Sequence, residues 1–528
     1  MNPVRVCWRR VFVTVKARID PGALDALLAP YDSTHGPGFA LGVALGGVPR
    51  YRRGVGLANV ELPVTLSPSI RMRIGSTTKH FCVLAVMLLA EEGRLSIDDS
   101  PRGVIPELPT WADAITVRQL MAHTSGMRDS LDLFFLTAGP GKTGPADAQL
   151  KMLAALDSVN FAPGASWNYN NGGYVLLSVI VERISGQSLE DFFRTRIFEP
   201  IGMADTQLRR LDTDLCPNSA TLHLPRPDGG WTRGVFGLPI AGEGGIVSTV
   251  DDMLRWLSHM SAPIVGRRAT WDEMRTPVTT HGYGLGLNMT EHRGLRTVHH
   301  AGGVVGGSSQ MLKVLDHELD LIVMTNGQSA LDLYGLVDAV LDACFEGLPP
   351  APRDAGGAPI TGAFYSAKSG QVLMLTEHEG GQAMTVGGYT LPARRDAAGQ
   401  ISVGILPTDL RVKPVTGPAR VDALLVTEFG ATDRLERVEA PSNAKAPVGY
   451  FDACAGLSAR ITDGPGGARM SLASSLGASL YKLEPLGPGL WRGLGEAAMP
   501  LALTLEADET GFALTSGRTV RLRFERRR

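Results

Sequence analysis

Between Phe81 and Ala90 the chain reads Phe-Cys-Val-Leu-Ala-Val-Met-Leu-Leu-Ala, which is apolar on every face of a helix. Such a helix has no side to turn toward water, so other elements must pack all round it. The run is too short to cross a bilayer, which takes about 20 apolar residues. Its surroundings must therefore be protein. A chain of 528 residues can supply them, with room for two or three domains.

The residues leading into this run are Ile74-Gly75-Ser76-Thr77-Thr78-Lys79. Ser76 is able to cap a helix that starts just after it, and Gly93 is a stop signal. Lys79 follows Ser76 by three positions, which puts both side chains on one helical face. A cation in a first helical turn opposes the helix dipole, and burial also favours the neutral amine. A desolvated lysine beside a serine hydroxyl is a route to an activated nucleophile. Taken alone, the stretch is equally consistent with a capping serine and a lysine whose head reaches solvent. Ser-x-x-Lys also occurs at Ser442/Lys445, in a linker-like segment, and at Ser479/Lys482, in a strand-like one. Strand positions three apart point to opposite faces, so only Ser76 and Lys79 converge.

Two further constellations carry chemistry. Phe161-Ala162-Pro163-Gly164 makes a turn and leads into Ser166-Trp167-Asn168-Tyr169-Asn170-Asn171. Tyr169 is able to relay a proton if a nearby ammonium lowers its pKa; the alternative is a loop tyrosine bonded to backbone. The third is Val298-His299-His300-Ala301-Gly302-Gly303-Val304-Val305-Gly306-Gly307. Glycines this dense permit close approach of another backbone or a ligand. Adjacent histidines also fit a strand end with one ring buried and one solvated. No carboxylate–histidine spacing or paired cysteine pattern points to a metal, and no cofactor motif is present. Gly141-Lys142-Thr143 lacks the first glycine of a phosphate loop, and no Gly-x-Ser-x-Gly elbow occurs.

The net charge of −2, with both signs interspersed, gives no electrostatic case for nucleic acid or an anionic membrane. The five cysteines are scattered, which suits a reducing compartment. The basic leader Met1–Asp20 lacks the apolar core and cleavage site of a secretory signal, so a soluble, cytoplasmic protein is expected. Phe39–Leu45 and Val48–Val55 flank Gly46-Gly47 as a hairpin, and Gly173–Ser185 reads as a second buried helix. Thr249 opens a capped helix. Met311–Leu315 and Leu319–Met324 are strands, and Leu331–Phe345 a last helix. Pro/Gly/Ala-rich linkers then lie at Gly347–Pro359 and Glu439–Val448. Between and after them, short alternating runs (Gln371–Thr376, Ala383–Val386, Ile401–Ile405, Ala423–Glu428) have the spacing of small all-β units. Both units begin alike, with Gly362-Ala363-Phe364-Tyr365 and Gly449-Tyr450-Phe451-Asp452, which suggests a duplication.

In their order, Ser76-Thr77-Thr78-Lys79, Tyr169-Asn170-Asn171 and His300-Ala301-Gly302 resemble the motifs of the serine β-lactamase-like, penicillin-recognising hydrolases. His123-Thr124-Ser125-Gly126, Ile197–Met203, Gly244–Asp252 and Tyr283-Gly284-Leu285-Gly286 are similar to supporting family phrases. The resemblance runs from about Pro21 to Asn326. It implies an α/β (α+β) catalytic domain over residues 1–346, followed by two small antiparallel β-barrel domains at 360–438 and 449–528. It also implies roles. Ser76 is the nucleophile, Lys79 its activator and Tyr169 the proton relay. Asn171, His300 and Gly302 bind substrate, and the backbone N–H groups of Ser76 and Gly303 form the oxyanion hole. Within the family the pattern is closest to D-aminopeptidase, whose third motif also carries histidine and whose last barrel sends a loop to the catalytic cleft. By that likeness Asn288 suits a substrate with a free amine, and Glu496, in the loop Arg492–Pro500, lines the pocket. Gly307 stands where relatives usually have an aromatic residue. The implied partner is a small peptide, amide or ester, and the implied assembly a homodimer. Alternatives of the same mechanism are an esterase, a β-lactamase-like hydrolase, or a penicillin-binding protein that acylates without turnover.

Overall fold

The computed structural model describes residues 15–327, 332–378, 381–386, 388–403, 409–417, 420–496 and 501–528. The leader up to residue 14, Leu331, the expected strand end Gly404-Ile405 and the loop end at 497–500 lie outside the described residues. The chain divides into two compact units. One takes in the chain up to Ile105, Ile115–Ala122 and Tyr174–Ala351; the other takes in Pro106–Ala114, His123–Gly173 and Pro352–Arg528.

The first unit is built on six antiparallel strands: β1 (Phe39–Leu45), β2 (Val48–Val55), β3 (Asn288–His292), β4 (Leu295–Val304), β5 (Gly307–Val314) and β6 (Leu319–Thr325). Their order in the sheet is β3-β4-β5-β6-β1-β2. The β1–β2 turn works because Gly46 and Gly47 both adopt positive φ, 59° and 74°, which matches the twist of a two-residue hairpin. One face of the sheet packs against helices Pro21–Leu28 and Leu333–Cys344. Leu24, Leu28, Leu336, Val340 and Leu341 meet Leu41, Val43, Leu321 and Val323 there. The other face carries helix Val250–Ser261, whose start is capped by Thr249 Oγ1 accepting from the Asp252 N–H at 3.1 Å. That helix crosses β1 at Gly42, where a Cβ would lie 2.4 Å from Val250 Cγ1.

The all-round apolar run forms helix Lys79–Glu91, and every residue from Lys79 to Leu89 is buried. Phe81 stacks on Trp256 at 3.8 Å and meets Phe198 edge-on at 5.7 Å. Leu84 and Val83 close on Gly266 and Gly286. The helix stops at Gly93, which has φ 72°. Its start corrects the expected cap. Residues Gly75–Thr78 form a separate 3₁₀ turn, the α-helix begins at Lys79, and its Ncap Thr78 makes no side-chain capping bond. Ser76 therefore does not cap; its hydroxyl is left to meet Lys79.

The second unit joins the short helices Ser130–Thr137 and Ala148–Ala155 to two closed antiparallel barrels of eight strands, Gly362–Val438 and Gly449–Arg526. Each barrel closes by pairing its first strand with its last. The duplicated openings occupy matching places. Phe364 and Phe451 are fully buried, and each lies under an arginine of the closing strand, Arg437 at 4.7 Å and Arg526 at 5.0 Å. Both barrels also reach the segment that holds the Tyr-Asn-Asn motif. Phe429, at a hairpin of the first barrel, packs its ring 4.5 Å from Trp167. Helix Ser130–Thr137 meets the second barrel, with Tyr481 donating to the Leu136 carbonyl at 2.7 Å.

The same helix bears a titrating group. Asp132 Oδ2 accepts from the hydroxyls of Ser516 at 2.5 Å and Thr519 at 2.8 Å. Burial pushes its pKa up to about 6, against the opposing hydroxyl bonds and with Asp129 adding repulsion. An unfolded aspartate releases its proton near pH 4, so between about pH 4 and 6 the native state holds a proton that the unfolded chain has lost. Stability should fall as pH rises through that window. We expect Asp132→Asn to flatten the pH dependence of Tm between pH 4 and 6, with no loss of stability at pH 7. An unchanged slope would place that proton on another group.

Candidate active site

In the first unit the site is built around the 3₁₀ turn. Lys79 is fully buried, and its Nζ donates to Ser76 Oγ at 3.2 Å and to the carbonyl of Glu243 at 2.6 Å. It also lies 5.0 Å from the ring centroid of Tyr174, whose hydroxyl is tied to the Met121 carbonyl. The turn is locked from several directions. Thr77 Oγ1 and Ser309 Oγ lie 2.9 Å apart, Ser309 donates to the Ile74 carbonyl at 2.8 Å, and Thr78 Oγ1 accepts from the Ile246 N–H. Ser76 is thus held by backbone on both sides, with its hydroxyl aimed at an amine.

Strand β4 runs beside this turn. Gly75 has φ 53°, and a Cβ there would sit 2.7 Å from the Gly303 nitrogen. A Cβ on Gly302 would lie 1.9 Å from the Ile74 carbonyl oxygen, while Gly303 is open on its Cα side. Glycine at 302 is therefore a packing requirement: any side chain would drive strand and turn apart.

Both histidines of the third motif are buried, at 2% exposure each, which removes the reading of one buried and one solvated ring. Strand alternation sends them to opposite faces. The His299 Nε2 is 2.9 Å from Thr290 Oγ1. His300 Nδ1 donates to the Ala301 carbonyl at 2.6 Å, leaving Nε2 to accept from the Tyr283 hydroxyl at 3.3 Å. Burial pushes the His300 pKa down to about 3. At neutral pH the third motif therefore presents an uncharged imidazole. His80, fully enclosed and held well below its usual pKa by the same burial, stands edge-on to His300 at 6.3 Å. Asn288 opens β3 opposite His299 in the register and is 2% exposed.

The second unit assembles the Tyr-Asn-Asn motif. His123 has φ 59°, and its Nδ1 accepts from the Asn170 N–H at 3.0 Å. The Asn168 N–H donates to the His123 carbonyl and the Gly164 N–H to that of Thr124, so the His-Thr-Ser-Gly turn and the Pro-Gly loop are zipped together. Asn170 Oδ1 accepts from the Gly173 N–H at 2.8 Å and so caps helix Asn171–Ser185. Asn171 Nδ2 donates to Asp129 Oδ2 at 3.1 Å, and Asp129 Oδ1 accepts from the Gly172 N–H. The Tyr169 ring lies 4.3 Å from that of His123 and 5.0 Å from the guanidinium of Arg518.

Sequence reasoning missed Glu243, Asp129 and Arg518. Glu243 acts through its main chain, which has no residue signature, and the others carry no spacing that links them to the motifs. Glu496 follows the strand Leu490–Gly495 of the second barrel. It pairs with Arg469 at 3.1 Å, and its N–H donates to the Leu480 carbonyl. Among the described residues, no group of three His, Cys, Asp or Glu is disposed to hold a metal ion, and no helix is long and apolar enough to cross a membrane.

Known proteins resemble the chain in sequence and fold. The chain is 28% identical over 389 residues to penicillin-binding protein 4* of Bacillus subtilis strain 168, covering 69% of this chain and 85% of that one. It is 28% identical over 405 residues to a D-aminopeptidase of Brucella melitensis biotype 2, covering 74% of this chain and 76% of the relative. In structure, the octameric penicillin-binding protein homologue from Pyrococcus abyssi aligns over 95% of this chain and 98% of its own, with a TM-score of 0.54 at 18% identity, which speaks to the fold. The β-lactamase-like domain followed by two closed barrels is thus the architecture expected from the motifs. The profile of the Beta-lactamase family matches residues 24–342, more than half of the chain, and this protein belongs to that family of serine hydrolases.

Proposed function

We propose that this serine hydrolase works through an acyl-Ser76 intermediate and releases N-terminal D-amino acids from small peptides, amides or esters. The observation that carries the mechanism is the buried Lys79 amine, 3.2 Å from Ser76 Oγ and anchored on the Glu243 carbonyl. Lys79 takes the hydroxyl proton as Ser76 Oγ bonds to the substrate carbonyl carbon. The oxyanion is assigned to the N–H groups of Ser76 and Gly303; a single such donor contributes about 10²–10³ in kcat. Tyr169 is assigned the proton delivery to the leaving amine or alkoxide as the bond from that group to the carbonyl carbon breaks, and the proton taken up by Lys79 replaces the one Tyr169 gives. Water then adds to the acyl carbon by the reverse relay, and the C–O bond to Ser76 breaks.

The neutral imidazole of His300 supports the substrate side of this reading. A site whose third motif carries no charge offers no counter-ion to a substrate carboxylate, whereas a substrate with a free amine needs none there. Asn288, uncharged on the neighbouring strand, supports the same class. Relatives named D-aminopeptidase come from Gluconobacter oxydans as well as Brucella. The relative named as a penicillin-binding protein makes a β-lactam the natural competitor substrate.

The test is a panel of matched D- and L-alanyl p-nitroanilides, a short-chain nitrophenyl ester and nitrocefin. We expect turnover of the D-anilide with kcat/KM at least about tenfold above the L-form, in line with one discriminating contact in a shaped pocket. Ester turnover with no anilide hydrolysis, or stable β-lactam acylation with no steady-state turnover, would replace the proposal with the corresponding relative.

A further inference from the structure

We propose that Arg518, carried by a hairpin loop of the second barrel, is a positioning residue for Tyr169 and Asn171; this rests on the acyl-transfer roles assigned above. Strands Gly511–Thr515 and Leu522–Arg526 pair within the barrel, and the loop between them, residues 516–521, projects toward the segment His123–Gly173 of the same unit.

The loop is gripped along its length. Asp132 accepts from Ser516 and Thr519, and Asn160 accepts from the Val520 N–H at 2.9 Å while donating to the Arg518 carbonyl at 2.9 Å. The buried Arg128 donates to the Val520 carbonyl at 2.7 Å. At the base, Arg521 has φ 47° and its guanidinium pairs with Glu506. A loop fastened by this many partners from the motif-bearing segment presents its central side chain in a set place.

That side chain is Arg518. Its Nη1 donates to Asp129 Oδ2 at 3.2 Å, and its guanidinium lies 5.0 Å from the Tyr169 ring centroid. Asp129 is completely buried. Its Oδ2 is the oxygen that also accepts from Asn171, and its Oδ1 accepts from the Leu131 and Gly172 N–H groups. One carboxylate therefore joins Arg518, Asn171 and the start of the motif helix. A buried carboxylate that loses its cation becomes an uncompensated charge, and the groups bonded to it shift to relieve that. The Tyr169 ring would at the same time lose its cation–π neighbour. A barrel formed far along the chain thereby sets the geometry of two motif residues without being one itself.

The experiment uses the full-length protein and the best substrate of the panel. We expect Arg518→Met to lower kcat by on the order of ten- to hundredfold, the effect of a displacement near 1 Å at the reacting groups, with a much smaller change in KM. Arg518→Lys, which keeps a cation beside ring and carboxylate, should recover most of the loss. In a Tyr169→Phe background, Arg518→Met should cost at least about threefold less than it does in the parent, because one of the two groups it positions has already lost its function. Thermal melts report whether each variant folds. If Arg518→Met unfolds, the cycle of the polar variant Arg518→Gln with Tyr169→Phe decides instead: non-additive losses support the proposal and additive ones overturn it. Unchanged kcat in a folded Arg518→Met overturns it too. Wild-type turnover by Tyr169→Phe alone would instead remove the assigned relay, a failure of the underlying reading that the single variant identifies.

Discussion

Ser76→Ala is expected to reduce turnover of every substrate in the panel by at least about 10⁴-fold while leaving the fold in place. The size follows from the mechanism, since removing a nucleophile leaves only binding and electrostatic stabilisation of attack by water. The fold should survive because Ser76 contributes little to packing. It lies in a 3₁₀ turn held by Thr77, Thr78, Ser309 and the glycines of β4, and its own hydroxyl meets Lys79. Loss of one hydrogen bond, with the Glu243 carbonyl still holding the amine, should cost on the order of 1 kcal/mol. Steady-state assays and a thermal melt check both halves of this expectation. Residual activity within tenfold of the parent would mean that another group attacks the substrate.

The second large effect is expected from Lys79→Met, which fills the same space without the amine. Activity should fall nearly as far as in Ser76→Ala, and the double variant should be little worse than either single, because the two groups act as a unit. Stability has two opposed contributions. Removing a fully buried amine relieves a desolvation cost, while the Glu243 carbonyl loses its 2.6 Å donor, at about 1–3 kcal/mol. The net change in Tm should therefore be small beside the loss of rate. Single-turnover acylation isolates the step: with Lys79 gone, acyl-enzyme should form slowly even at saturating substrate. Normal acylation with slow deacylation would confine Lys79 to the second half of the reaction.

Local features were legible wherever one short stretch contained its own reason. The β1–β2 hairpin is written in two apolar runs around Gly46-Gly47, and the central helix in a run with no polar face. His300 could be separated from His299 because only it has glycine two residues on, and the structure adds the physical cause: alternation along β4 directs one ring to Tyr283 and the other to Thr290. What depends on folding was not legible. Ser76 has the composition of a helix cap, yet the turn before the helix tightens to 3₁₀ and re-aims its hydroxyl. Glu243 holds Lys79 with a carbonyl, which every residue possesses. Asp129 and Arg518 are brought together across 389 positions of sequence, and no periodicity encodes that pairing. The last-barrel loop illustrates the same limit. The resemblance singled out Glu496, which pairs with Arg469, and nothing in the sequence marked the polar turn 516–521, whose Arg518 carbonyl and Val520 N–H meet Asn160.

In the proposed mechanism the substrate carbonyl carbon becomes bonded to Ser76 Oγ. This step is tested most directly by mixing the protein with a slowly deacylating ester or β-lactam, quenching in acid, and mapping the adduct by mass spectrometry of the digested chain. One acyl group per chain, on the peptide that contains Ser76 and absent from Ser76→Ala, is the expected result. Full turnover with no covalent adduct, or an adduct on a different residue, would contradict it.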